Sequence, residues 1–185
     1  MNAKIDLVLR RIEKFNKEVP SAIMPRTTGE FLRLLVLSTK SKKIIELGCS
    51  VGYSAIWMAS AAKELKGHIY TVDKSQDRSE LARINFEEAG LSNKITLHEE
   101  DAIEFLKKWD KGQVDFILID AMKKQYLDYY KLALPLLKKG GTIVADDVIK
   151  LGEKMKDFLE YIKKDKSVRS TILEIDDGVM LIYKK

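Results

Sequence analysis

Two strand-like runs in this sequence end in carboxylates. Val114 to Ile119 is almost continuously apolar and runs into Asp120, while Thr142-Ile143-Val144-Ala145 runs into Asp146 and Asp147. If both strands belong to one parallel sheet, they deliver three carboxylates to the same edge. Three such groups repel strongly unless a cation sits between them. An all-oxygen donor set suits a hard divalent ion, Mg2+ first, with Mn2+ or Ca2+ behind it. The plainer reading is that Asp146 and Asp147 cap the next turn.

A second constellation lies earlier. Ile44-Ile45-Glu46-Leu47 reads as a buried strand, Gly48 and Gly52 follow as G-x-x-x-G, and from Ser54 the apolar residues take helical spacing. Strand, glycine turn and helix present backbone N–H groups to a ligand at the carboxyl edge of an open α/β sheet. Gly48 is expected to turn the chain sharply off the strand, and Gly52 to let the ligand approach where a Cβ would clash. The spacing is neither the G-x-G-x-x-G of dinucleotide sites nor a phosphate loop, because no Gly-Lys-Ser/Thr follows. The next strand-like run, Gly67 to Asp73, also ends in a carboxylate, placed to accept hydrogen bonds from ribose hydroxyls. Otherwise, Asp73 caps the helix after it.

E-L-G-C-S-V-G-Y-S-A with the acid downstream resembles the S-adenosylmethionine site of class I methyltransferases, and its Gly-Tyr-Ser-Ala part resembles the metal-dependent O-methyltransferases of the catechol and caffeoyl-CoA type. The later segments I-D-A-x-K-x-x-Y and A-D-[N/D]-V resemble the metal-ligand segments of that family. The likeness runs from about Glu30 to Ile149 and returns at the C-terminal hairpin. It implies an α/β, Rossmann-like fold with helices on both faces of a mostly parallel seven-stranded sheet that ends in an antiparallel hairpin. It implies S-adenosylmethionine as cofactor, held around Glu46, Gly48, Ser50 and Ser54 of the first motif and by Asp73 and Lys74 after the next strand. Asp101 matches the residue placed on the adenine amino group, with Ala102 supplying a backbone N–H, and three successive acids there also read as a solvated helix start. Met24 matches a methionine of the loop that closes over the cofactor, which leaves Arg26 to point at the substrate.

Asp120, Asp146 and Asp147 match the three metal ligands, Asp120 lying close to the cofactor as well. Asp147 stands where the family usually has Asn, which keeps the oxygen donor and adds a negative charge. Lys123 matches the lysine that takes part in deprotonating the acceptor hydroxyl; its bland reading is an exposed loop lysine. The implied reaction is an in-line displacement at a sulfonium methyl. A neutral hydroxyl is a poor nucleophile, a dication lowers its pKa, and a nearby amine relays the proton.

The elements that must position these groups fit one domain, 1–185, in which 1–42 forms an N-terminal helical segment and 43–185 the α/β core. With 45% hydrophobic and 33% charged residues, the composition is that of a soluble globular protein. No apolar run approaches the ~20 residues that span a bilayer, and the charged start is no signal peptide. Cys49, the single cysteine, excludes an internal disulfide and suits a reducing compartment, so the expected location is cytoplasmic. Cys49 reads as a small loop residue rather than a nucleophile, and His98 as structural.

The net charge of +5 sits entirely in residues 1–42, which hold nine Lys/Arg against four Asp/Glu. Ile5, Leu7, Val8, Leu9, Ile12 and Phe15 have near-helical spacing, with Lys4, Arg10, Arg11, Lys14 and Lys17 turned outward. A basic helix is either a solvated face or a contact for RNA. Val19 to Gly29 reads as a loop stopped by two prolines, and Glu30 to Ser38 as a helix carrying Phe31, Leu34, Leu35 and Val36 into the core. The acceptor is thus a catechol-like small molecule or, on the basic segment and the short length, a transfer RNA hydroxyuridine. A cofactor-binding module without methyl transfer is the reading outside that class. No membrane partner is expected, and a homodimer is the one protein assembly left open.

Overall fold

The protein, seen in a computed structural model, is described over residues 2–18 and 23–185. Val19, Pro20, Ser21 and Ala22, read above as loop, lie outside the described residues. The parallel part of the sheet is built from β1 (Lys43–Leu47), β2 (His68–Asp73), β3 (Ile95–Glu99), β4 (Val114–Ile119) and β5 (Leu137–Ala145). The hairpin β6 (Val168–Leu173) and β7 (Val179–Lys184) completes it in the order β3-β2-β1-β4-β5-β7-β6. β5 with β7, and β7 with β6, pair antiparallel, and every other neighbour pair is parallel. The order reverses between β1 and β4, so the turns after these two strands open a crevice between them.

Helices α1 (Ala3–Glu18), α2 (Arg26–Ser38), α3 (Tyr53–Glu64) and α4 (Gln76–Ala89) cover one face of the sheet. The other face carries α5 (Ala102–Lys107), α6 (Tyr126–Leu136) and α7 (Lys156–Lys164). Strand residues alternate between these cores: Ile44, Phe116, Leu118 and Val144 face α1–α4, while Ile45, Leu47, Ile117, Ile119 and Ile143 face α5–α7. That period of two, in strands buried on both faces, is why β4 is apolar throughout.

Three sequence expectations are corrected at the N-terminus. In α1 the buried stripe is Ile5, Val8, Leu9 and Ile12, at i, i+3, i+4 and i+7. Leu7 falls off that stripe and Phe15 lies beyond it, and both are exposed. α2 starts at Arg26 rather than Glu30, because Pro25 halts helix only on its own N-terminal side and sits at the N-cap with φ −59°. Its buried residues are Thr28, Gly29, Leu32 and Val36; Phe31 and Leu35 pack half-buried against the core as expected, and Leu34 faces solvent. Pro25 offers no side-chain cap, and the need is met from far along the chain: Thr28 donates its N–H and its hydroxyl to Asp176 Oδ2 at 3.1 and 2.8 Å.

One polar group lies in the middle of this apolar frame. Glu46, on β1, is completely buried; Thr71 donates to its Oε2, and its Oε1 has no partner. Burial pushes its carboxyl up to about 8 against the donation from Ser54 and Thr71. The folded chain therefore keeps this proton to about 8, whereas the unfolded chain gives it up near 4.5. Stability falls as pH rises through that window, by at most roughly 1.4 kcal/mol per pH unit. Glu46→Gln has no proton to lose, so urea denaturation should show the variant gaining on the wild type between pH 5 and pH 8. An unchanged difference would mean that Glu46 is already ionised in the folded chain.

Candidate active site

A cavity of about 540 Å3 opens at the carboxyl edge, over the crevice between β1 and β4. Gly48 leaves β1 with φ +94°, and a Cβ there would sit 2.1 Å from the Asp120 carbonyl oxygen. The two turns touch through backbone, which only glycine allows. Gly52 also has φ +84°, but it faces the Phe86 ring and Ala82 on α4. Its missing Cβ serves loop-to-helix contact, so the expectation that it admits a ligand is corrected.

Asp73 ties the glycine turn to the end of β2. Its Oδ2 accepts from Ser50 N–H at 2.7 Å and its Oδ1 from Ser75 N–H at 2.9 Å. The N-cap of α4 is Ser75, so Asp73 is not the cap. Ser50 itself holds φ +47°. Asp73 and Lys74 line the cavity together with Met24, Gly48, Ser50 and Ser54. Glu46 does not line it and stands behind Ser54 and Thr71 in the sheet. On the far wall Asp101 caps α5, its Oδ1 accepting from Ile103 N–H at 2.8 Å, and Ala102 is beside it. The helix start set against an adenine contact is thus present in the fold, and the residue still borders the cavity.

The opposite end gathers the charges. Asp120, Asp146 and Asp147 all line the cavity, and so does Lys123. Lys123 Nζ donates to Asp120 Oδ1 at 2.7 Å and to Tyr126 Oη at 2.8 Å, and lies 2.7 Å from Asp147 Oδ2. Tyr126 in turn donates to the Asp146 carbonyl at 3.2 Å. Lys123 is therefore no exposed loop lysine. Burial works against its charge, but Asp120 and Asp147 outweigh it and hold the ammonium above its ordinary range. Asp146, nearly fully buried, is pushed up to about 8 by burial and by the neighbouring charges of Asp120 and Asp147. The cation that sequence reasoning places among the carboxylates is, in this arrangement, the Lys123 ammonium. Among the described residues no group of three or more His, Cys, Asp or Glu side chains is drawn together as a metal cage. The donor chemistry nonetheless fits a hard dication, because one ammonium leaves the crowding at Asp146 unrelieved.

Arg26 does not point at the substrate. Its guanidinium reaches back to Asp6 and Glu13 of α1 and lies over the Trp57 ring, 5.3 Å from the centroid. Cys49 is buried, and burial pushes its thiol well up, which suits a loop residue and not a nucleophile. His98 packs against Phe105 and stays outside the cavity. On the basic side of α1, Arg10 pairs with Asp6, and Arg11 with Glu88 and Asn85. Sequence reasoning gave no role to Tyr53, Arg78, Tyr129, Lys150 or Asp177, which also line the cavity. Tyr53 and Tyr129 carried only a core signal, and Lys150 with Asp177 only a loop signal.

The likeness to known proteins matches this geometry. A family model described as O-methyltransferase matches residues 3–185. A catechol O-methyltransferase of Niastella koreensis is 36% identical over 138 residues, covering 73% of this chain and 62% of the relative. A flavonoid 3',5'-methyltransferase of Vitis vinifera is 30% identical over 181 residues, covering 85% of this chain and 77% of the relative. The crystal structure of an O-methyltransferase from Bacillus cereus in complex with SAH superposes with a TM-score of 0.88 at 27% identity, covering 100% of this chain and 92% of that one. The chain spans about three-fifths of the length of the catechol relatives it matches. The chain belongs to the O-methyltransferase family.

Proposed function

We propose that this chain transfers a methyl group from S-adenosylmethionine to a hydroxyl of a small, catechol-like acceptor. The observation that carries this reading is that the Asp73-braced glycine turn and the Asp–Lys123 cluster border one cavity. Asp73 would hold the cofactor's ribose, Asp101 and Ala102 its adenine, and Gly48, Ser50 and Ser54 its methionine end. Met24 closes the near side. A transfer RNA acceptor has less to rest on, since the two arginines of the basic helix are paired within the chain.

Asp120, Asp146 and Asp147 are the residues that would hold a divalent cation, Mg2+ first. Such an ion supplies Lewis acidity, taking up carboxylate charge and acidifying the acceptor hydroxyl. Lys123 is placed to manage the proton. While Asp120 and Asp147 both grip it, it is an ammonium and cannot accept one. With those carboxylates engaged by an ion, burial would favour the neutral amine, its proton passing to solvent at the open cavity. The amine then takes the hydroxyl proton at Nζ, the acceptor oxygen attacks the methyl carbon, and the carbon–sulfur bond breaks to leave neutral S-adenosylhomocysteine. Tyr126, fixed between Lys123 and the Asp146 carbonyl, keeps Nζ pointed at the cavity.

Two measurements test this. Calorimetry should show S-adenosylhomocysteine binding in the micromolar range or tighter, and Asp73→Ala should weaken it by ~1–3 kcal/mol through hydrogen bonds lost to a charged acceptor; equal affinity in the variant would remove the ribose assignment. Exhaustive chelation should abolish turnover on a catechol while leaving the cofactor bound, and Asp147→Asn should keep much of the activity that Asp146→Ala loses. Lys123→Ala should lower turnover ~10²–10⁴-fold, with the defect shrinking as pH rises because hydroxide replaces the lost base. Full turnover by metal-free protein would refute the ion's role and leave the family fold standing.

A further inference from the structure

The glycine turn is held from outside the α/β core at two points, both reached from α1. Tyr53, the first residue of α3, is buried at the cavity wall directly after Gly52. Its hydroxyl donates to Glu13 Oε1 at 2.6 Å, across 40 positions of sequence. The same oxygen accepts from Arg26 Nε at 3.0 Å, and Arg26 is held in turn by Asp6. One turn along α3, Trp57 meets the Tyr53 ring edge-on and lies under the Arg26 guanidinium. On the other side of the turn, Arg11 donates to Asn85 Oδ1 at 2.6 Å, and buried Asn85 donates to the Val51 carbonyl at 2.8 Å.

From inside the core, by contrast, the turn's backbone is tied by Asp73 and by Gly48 N–H on Val72. A ring whose hydroxyl ends on a carboxylate and whose edge is set by an indole has its orientation fixed before any ligand arrives, which is how a rigid site binds tightly.

We propose that Glu13 is a positioning residue for the cofactor: through Tyr53 it fixes the wall of the cavity against which S-adenosylmethionine lies. The inference rests on the reading of this cavity as the cofactor site. It places in the N-terminal helix a residue on which cofactor affinity depends, although Glu13 itself does not line the cavity.

The test is a double-mutant cycle on the full chain, read as S-adenosylhomocysteine affinity by calorimetry. Glu13→Ala and Tyr53→Phe should each weaken binding about tenfold, the lower end for a hydrogen bond to a charged group. The double variant should be no weaker than the worse single one, because both changes break the same contact. In turnover, the KM for S-adenosylmethionine should rise in Glu13→Ala while kcat stays near that of the wild type. Tyr53→Phe leaves the Glu13–Arg26 pair intact and so separates loss of the contact from loss of fold. Unchanged affinity in Tyr53→Phe, or losses that add in the double variant, would overturn the proposal. Failure of the wild-type chain to bind S-adenosylhomocysteine would bring down the functional reading and this inference with it.

Discussion

Negative charge confined at the ends of two adjacent parallel strands is the constraint that most of this molecule answers to. Parallel pairing of β4 with β5 continues through Asp146 N–H on the Ile119 carbonyl, which fixes the two strand ends side by side. Asp120, Asp146 and Asp147 then have no freedom to separate. Lys123 is drawn down among them, and Tyr126 is buried so that its hydroxyl can complete the lysine's set of acceptors. Asp147 takes a left-handed φ of +63° to stay there, a conformation that costs a non-glycine residue about 1 kcal/mol. Buried ion groups of this kind rarely add net stability, and strain and repulsion gathered at one cavity are the mark of a site kept for chemistry.

The same edge explains how much could be read from the chain. The apolar run of β4, the glycine turn after β1 and the acids at Asp73, Asp120 and Asp146-Asp147 are local in sequence, and parallel topology alone brings them to one edge. That is why twelve of the fifteen residues expected around the site border the cavity, Glu46, Gly52 and Arg26 being the exceptions. Glu46 lies one residue back from the strand end, where the pleat turns it into the core against α3.

What was illegible depends on contacts between segments far apart. Whether Gly52 faces ligand or helix is decided by Phe86, which no local pattern announces. Arg26 follows the loop that borders the cavity, yet it turns away because Asp6 and Glu13 on α1 offer paired charge. Charge counts are limited in the same way: a surplus of lysine and arginine in residues 1–42 says nothing of how many have partners across the fold. Even the start of α2 was hidden, since the group that satisfies its first turn belongs to the far end of the chain.

That last contact bears on the order in which the molecule can be made. Thr28 and Asp176 are separated by 148 positions, nearly the whole length of the chain. A ribosome delivers residues N-terminal first, so α2 emerges long before the carboxylate that satisfies its amide. β7 lies between β5 and β6 in the sheet, and it too is made after every other strand. Until it arrives, β5 has no neighbour on its outer side, and the loop bearing Asp146 and Asp147 lacks the turn that its Val148 and Ile149 amides bond to. The nascent chain can hold most of its sheet on the ribosome and still lack the finished cavity. The site is thereby completed only once β7 has been made, and a chain cut short before this hairpin leaves β5 without its outer partner and the Asp146–Asp147 loop without its turn.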